Sequence, residues 1–184
     1  LGICAATLGK KVDSAISFAI DTVMGIPHIL LLILISYAMG KGLKGVIAGV
    51  ALTHWTSLAR LIRGEVMQLR ESEYIQIAGK LGLGKWEIAK KHIVPHVLPQ
   101  FIVGLVLLFP HAILHESSIT FLGFGLSTEQ PAIGVILSES MRYLIMGKWW
   151  LAVFPGMMLV LTVVLFEKGG TALRQLLDPG SVHK

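Results

Sequence analysis

The sequence predicts an all-α protein that crosses a membrane several times. Three observations carry that expectation. Of its 184 residues, 54% are hydrophobic and only 15% charged, with a mean hydropathy of +0.73; a soluble domain carries about 25% charged residues. The apolar residues gather into four long runs, and the basic residues sit between those runs rather than along them. Twenty Gly and seven Pro are scattered through the apolar segments, which transmembrane helices tolerate. A net charge of +5 and a pI near 9.5 would suggest nucleic acid in a soluble protein. Here membrane topology accounts for them, and no nucleic-acid partner is expected.

The first run is Ile26 to Met39 (IPHILLLILISYAM). It is short beside the roughly 20 residues a spanning helix needs. Ala15 to Met24 is apolar enough to extend it, with a kink or break at Pro27. The other runs are Val46 to Ile62, Val97 to Leu114, and Trp149 to Phe166. GKGLKG at 40–45 can only turn. The connection 64–96 is long, mixed in charge and helical in pattern. The segment at about 121–148 is amphipathic and broken by Gly123, Gly125, Pro131 and Gly134, which suits an outer surface or re-entrant element. There is no internal repeat, and residues 1–184 are expected to form one integral-membrane domain.

Charge sets the orientation. With 64–96 on the cytoplasmic side, only Lys41, Lys44, Arg142 and Lys148 lie outside, leaving the other twelve of the 16 basic residues inside, Lys184 among them. The positive-inside rule favours this arrangement over its reverse. Leu1 to Leu8 reads as the tail of an apolar helix with no basic region before it, and the chain does not start with Met. An N-terminal portion is therefore expected to precede it. The one cysteine, Cys4, allows neither an intrachain disulfide nor a cysteine-based metal site.

Within the inner connection, Glu73 to Lys80 predicts one short helix and Lys85 to His92 a second. Gly82 and Gly84 allow the reversal between them. Pro95 and Pro99 are expected to stop the second helix and open the next span. At this point the sequence resembles the permease subunits of type I ABC importers, whose loop signature is E-A-A, three residues, G, nine residues, I-x-L-P. Gln76, Ile77 and Ala78 fall on E-A-A, Gly82 on the Gly, His92 on the Ile, and Val94-Pro95 on Leu-Pro. Ala78, Gly82 and Pro95 agree, while Gln76, Ile77, His92 and Val94 depart. H-I-V-P-H-V-L-P at 92–99 resembles the H-I-L-P-N-V-L-P of the peptide/nickel branch. The likeness continues in ILHESSITFLGFG at 113–125, WWLAVFPG at 149–156 and LRQLLDP at 173–179, and upstream in Asp13, Asp21 and Pro27.

The resemblance implies a permease subunit of an ATP-driven importer of the plasma (inner) membrane of a prokaryote, its type I transmembrane domain truncated at the N-terminus. It implies partners: a second homologous permease, two cytoplasmic ABC ATPase subunits, an external substrate-binding protein and membrane lipids. It implies a coupling loop that seats in a groove of the ATPase, carried here by Tyr74, Gln76, Ile77, Ala78, Gly82, Leu83, Lys85 and Pro95. ATP and Mg²⁺ would belong to the partner subunit, with no cofactor on this chain. The chain itself is expected to be no enzyme. The cargo implied is nickel, another metal or metal chelate, or di- and oligopeptides.

Three local patterns fail on their chemistry. Gly79 to Trp86 nearly matches the phosphate-binding GxxxxGK[ST] loop, but Trp86 stands where a Mg²⁺-binding hydroxyl is required and no strand precedes it. GxGxxG at 40–45 has no βαβ setting. His115-Glu116 begins like HExxH, but Ile119 stands where the second His belongs. Gly45 and Gly49 form a GxxxG pair suited to close helix packing.

Seven histidines are many for so apolar a chain. His28, His54, His111 and His115 fall in or near expected spans, where a polar group usually meets a partner or the pathway. His111 and His115 share a helix face. With Glu116 they are candidates for the substrate pathway, and His111 and His115 for a metal, for which imidazole is a good ligand. Hydrogen bonding between helices is the competing role. Within the resemblance, nickel permeases carry Leu-His where Leu114-His115 stands, which inclines the cargo towards nickel. Two rival functions remain open: a secondary transporter needing no ATPase, against which the lack of an inverted repeat speaks, and a membrane-embedded metalloenzyme, which would need a third ligand and a general base near His111 and His115, for which only Glu116 is a candidate.

Overall fold

The computed structural model describes residues 1–7 and 9–177, and among these every regular element is helical. The elements are α1 (Gly2–Thr7), α2 (Lys10–Gly25), α3 (His28–Ala38), α4 (Gly42–Glu71), α5 (Glu73–Lys80), α6 (Lys85–Ile88), a π-helical turn (Ala89–Ile93), α7 (Val94–Phe121), α8 (Ile133–Leu144) and α9 (Trp150–Leu177). Asp178, Pro179 and Lys184 lie outside the described residues. Three helical stretches are long and apolar enough to cross a membrane, Gly42–Glu71, Trp86–Phe121 and Trp150–Leu177, and a fourth if the broken pair α2 and α3 counts as one span. The all-α polytopic class expected from composition is the class observed.

The chain divides into two compact units. The first comprises residues 1–25, 55–105 and the segment from 171 onward. Its core is Ile62, Val66, Leu69, Ile75, Ala89, Ile93 and Val97, with Ile3 and Ile88 against it. Ile62, Val66 and Leu69 recur at helical spacing, so their stripe keeps the backbone helical well past the apolar run. The first part of the inner connection is therefore helical, as its pattern suggests: α4 continues to Glu71. Small residues let the helices approach. A Cβ on Gly2 would lie 2.6 Å from the Ala59 carbonyl oxygen, and one on Gly104 would lie 2.5 Å from Leu58 Cδ1. Two ion pairs tie α2 to α4. Arg63 donates to both carboxylate oxygens of Asp13 at 2.5 and 2.7 Å, and Arg60 donates to Asp21 at 2.5 Å. The upstream aspartates of the motif thus neutralise arginines that an apolar helix could not otherwise carry cheaply.

One expectation to be corrected concerns Pro95 and Pro99. Neither stops a helix: α6, the π turn and α7 run on without a break from 85 to 121. A proline ring clashes with the carbonyl four residues earlier and offers no N–H. The π turn just before Pro95 widens the backbone there, with Val94 N–H bonded to the Ala89 carbonyl, so the ring is accommodated instead of ending the helix.

The second unit comprises residues 26–54 and 106–170. Leu32, Val46 and Ile119 form its core, with Ile33, Val50 and Leu126 packed on it. The GxxxG pair is used inside the chain: a Cβ on Gly45 would stand 2.7 Å from the Ser36 carbonyl oxygen, and one on Gly49 would stand 3.1 Å from Leu32 Cδ2. α3 and α4 therefore meet backbone to backbone. Gly134, expected to interrupt the outer segment, lies inside α8 instead. It is buried because a Cβ there would reach within 2.6 Å of the Ser117 carbonyl oxygen, so its role is close approach rather than a break. The loop before α8 is pinned by Ser36 Oγ donating to the Phe124 carbonyl at 2.7 Å and by Gly42 N–H donating to the Gly125 carbonyl at 2.9 Å.

Candidate functional site

Two sites emerge, one in each unit. The first is the hairpin α5–α6. Helix α5 spans Glu73–Lys80, as its sequence predicts, and ends in a Schellman turn. Leu83 N–H bonds to the Ala78 carbonyl and Gly82 N–H to the Gly79 carbonyl, both at 3.2 Å. That geometry puts Gly82 at φ +90°, a left-handed conformation strained for any residue with a Cβ. Lys85 opens α6, and Ile88 N–H closes its first turn on the Gly84 carbonyl.

The hairpin sorts its residues by face. Ile75 and Ala78 are buried in the core of their unit. Leu83 is half-buried. Gln76 is exposed and donates from Nε2 to the Glu71 carbonyl at 3.1 Å. Tyr74 and Ile77 are exposed, with the Tyr74 ring 6.2 Å from that of His92. Pro95 lies in the continuous helix beyond. The sequence reading did not pick out Leu81 and Trp86, and each is 79% exposed. A tryptophan this exposed on a two-helix projection is costly in water and is characteristic of surfaces that bury an aromatic anchor in a partner. The signal was in the sequence: the Trp that spoils the phosphate-loop match is an aromatic just after the glycine turn, in the first turn of α6.

The second site is a group of histidines. His28 at the start of α3, His54 in α4 and His115 in α7 each place one ring nitrogen so that all three lie within 4.8 Å of one another. The ring centroids are 4.3 Å apart for His28 and His115, 4.9 Å for His28 and His54, and 5.3 Å for His54 and His115. His54 is 8% exposed, and the other two are half-buried. Pro27 ends its own run in extended backbone (φ −52°, ψ 122°), which starts α3 at His28. Thr53 fixes the rings: its Oγ1 lies 2.9 Å from His28 Nε2 and 3.1 Å from His54 Nδ1.

Of the residues expected in the pathway, His115 joins this group. His111 is exposed and lies outside it. Glu116 turns away into its own helix, where its carboxylate accepts from Thr120 Oγ1 at 2.8 Å and Ser117 Oγ at 3.3 Å. His28 and His54 were legible only as histidines in apolar runs, because nothing local shows that His28, His54 and His115, the first and last of them 87 positions apart, will meet across three helices.

The family of binding-protein-dependent transport system inner membrane components matches residues 1–181, and the chain belongs to that family. It is 32% identical to the dipeptide transport system permease protein DppC of Bacillus subtilis over 171 residues, covering 93% of this chain and 53% of that protein. It is 36% identical to the DppC of Alkalihalophilus pseudofirmus over 179 residues, covering 97% of this chain and 59% of the relative. To the oligopeptide transport system permease protein OppC of Escherichia coli it is 32% identical over 171 residues, covering 93% and 56%. The chain thus spans little more than half the length of the curated relatives it matches. Family membership and the long apolar helices together make it a multi-pass membrane protein.

Proposed function

We propose that this chain supplies half of the translocation pathway of an ATP-driven, binding-protein-dependent importer and couples it to a cytoplasmic ATPase through the α5–α6 hairpin. The observation that carries the coupling role is the exposed apolar face of Tyr74, Ile77, Leu81 and Trp86 on a hairpin whose turn is rigidly set by Gly82. Ile75 and Ala78 root that face in a packed core, so it is presented by fixed elements. A second permease subunit would complete the pathway, two ATPase subunits would hydrolyse ATP with Mg²⁺, and an external binding protein would deliver the cargo. The apolar surface of α9, including Phe154, Met157, Val160, Leu161 and Leu165, is uncovered within this chain and fits lipid or the second permease.

The cargo we propose is a short peptide, on the strength of relatives that carry dipeptide and oligopeptide transport in their names. A second reading, nickel or another metal or metal chelate, is favoured by the cluster of His28, His54 and His115. The test is substrate-dependent ATP hydrolysis by the assembled complex in proteoliposomes, with short peptides in one arm and nickel in the other. Stimulation by peptide that is lost in Gly82→Pro supports the coupling role and the peptide cargo together; stimulation by nickel alone transfers the cargo to the metal reading. Full stimulation in Gly82→Pro would overturn the coupling assignment.

A further inference from the structure

The hydrogen bonds around His28 and His54 assign which of their ring nitrogens carry protons. A carbonyl oxygen can only accept, so His54 Nδ1, 3.1 Å from the Val50 carbonyl, carries the hydrogen of that ring. His54 Nε2 is then a bare lone pair. It is buried, and it has no hydrogen-bond partner. The Thr53 hydroxyl donates to the Gly49 carbonyl at 2.9 Å, so towards His28 Nε2 it acts as acceptor. His28 Nε2 therefore carries its ring's hydrogen, and His28 Nδ1 is a second bare lone pair. That nitrogen lies 3.1 Å from His115 Nε2. In the metal-free state His115 Nε2–H can donate across that gap; in its other neutral tautomer it offers a third lone pair to the same point.

Three imidazoles brought together this closely, two of them (His28 and His54) held at their outer nitrogens by the Thr53 hydroxyl and the Val50 carbonyl, form the donor set of a first-row divalent transition metal. A tetrahedral ion with bonds of about 2.0–2.1 Å sets its nitrogen ligands about 3.3 Å apart, near the His28–His115 separation. The competing account is a hydrogen-bonded cluster that serves only to join α3, α4 and α7. It leaves the buried His54 Nε2 unexplained, since a purely structural histidine in an apolar setting finds a partner for both nitrogens.

We propose that His28, His54 and His115 bind one divalent first-row transition-metal ion within the apolar helices, through His28 Nδ1, His54 Nε2 and His115 Nε2, leaving a fourth position open. Thr53 is a positioning residue that orients two of the three rings. The inference rests on the cluster alone and does not depend on what the protein transports.

The test uses the full-length protein without a polyhistidine tag, reconstituted in nanodiscs and titrated with Co²⁺. Visible absorption reports nitrogen coordination, and equilibrium dialysis counts the ions. One saturable Co²⁺ per chain, displaced by Zn²⁺, is expected. His54→Gln should abolish it and His111→Ala should leave it unchanged. Thr53→Val, which keeps all three ligands, should weaken binding by about 10- to 100-fold, the range for losing an outer partner of a ligating histidine. Absence of saturable binding in the wild type would overturn the proposal. So would retention of wild-type binding in His54→Gln, or in Thr53→Val should His54→Gln fail to fold. Peptide-stimulated ATP hydrolysis, scored separately, tells a failure of this site from a failure of the permease reading.

Discussion

Arg63 grips Asp13 with two nitrogens, Nε and Nη2, across 50 positions of chain, and both side chains are little more than a quarter exposed. A bidentate guanidinium–carboxylate pair in a half-apolar setting is geometrically specific. Removing one partner strands the other charge, so Asp13→Ala and Arg63→Ala should each cost about 1–3 kcal/mol. Thermal unfolding in nanodiscs checks this. The double variant should be less destabilised than the two singles added together. Additive losses would show that the pair does not interact.

The backbone seam between α3 and α4 gives a second expectation. Gly45→Ala forces a methyl against the Ser36 carbonyl and hydroxyl, both under 3 Å from the added carbon. Overpacking of this kind costs about 1–3 kcal/mol. Gly64→Ala, on the same helix but facing open space, should be neutral or stabilising. A shared effect at both positions would point to helix propensity rather than packing.

Gly82→Ala tests the hairpin turn. The left-handed backbone should cost about 1–2 kcal/mol with a side chain present. Gly84→Ala, which meets nothing within 4 Å, should be tolerated. In the assembled complex, Gly82→Ala should lower stimulated ATP hydrolysis while Gly84→Ala does not. Equal activity in all three proteins would remove the turn from the coupling pathway.

Trp86→Ala separates docking from folding. The ring is 79% exposed, so its loss should leave the melting temperature unchanged. As an anchor in an ATPase groove it should be worth at least about 2 kcal/mol, roughly a thirtyfold loss of affinity for the ATPase subunit. Unchanged affinity would shift the docking face elsewhere on the hairpin.

The sequence made the helices legible because their signals are local. Apolar runs marked the long helices, and Glu73 to Lys80 marked α5 to the residue. The errors came where one interaction overrode a local rule. Pro95 signals a helix start, yet the π turn before it absorbs the missing donor and the helix runs on. Gly134 reads as a breaker, yet it is the one residue small enough to sit on Ser117. His115 stood out beside His111 because residues four apart share a face, a local inference. His28 and His54 could be paired with it only through the tertiary fold, which no spacing in the sequence encodes.

The π turn at Ala89–Ile93 lodges one residue more than an α-helix would hold. Each residue of an α-helix advances about 100° around the axis, so that extra residue sets the bearing of everything before it. Were the turn to relax to plain α-helix, Trp86 would swing by about that angle relative to Pro95, away from whatever it had faced. The bearing of the hairpin's most exposed aromatic is therefore an angular offset held by a single main-chain irregularity, from the Val94 N–H to the Ala89 carbonyl.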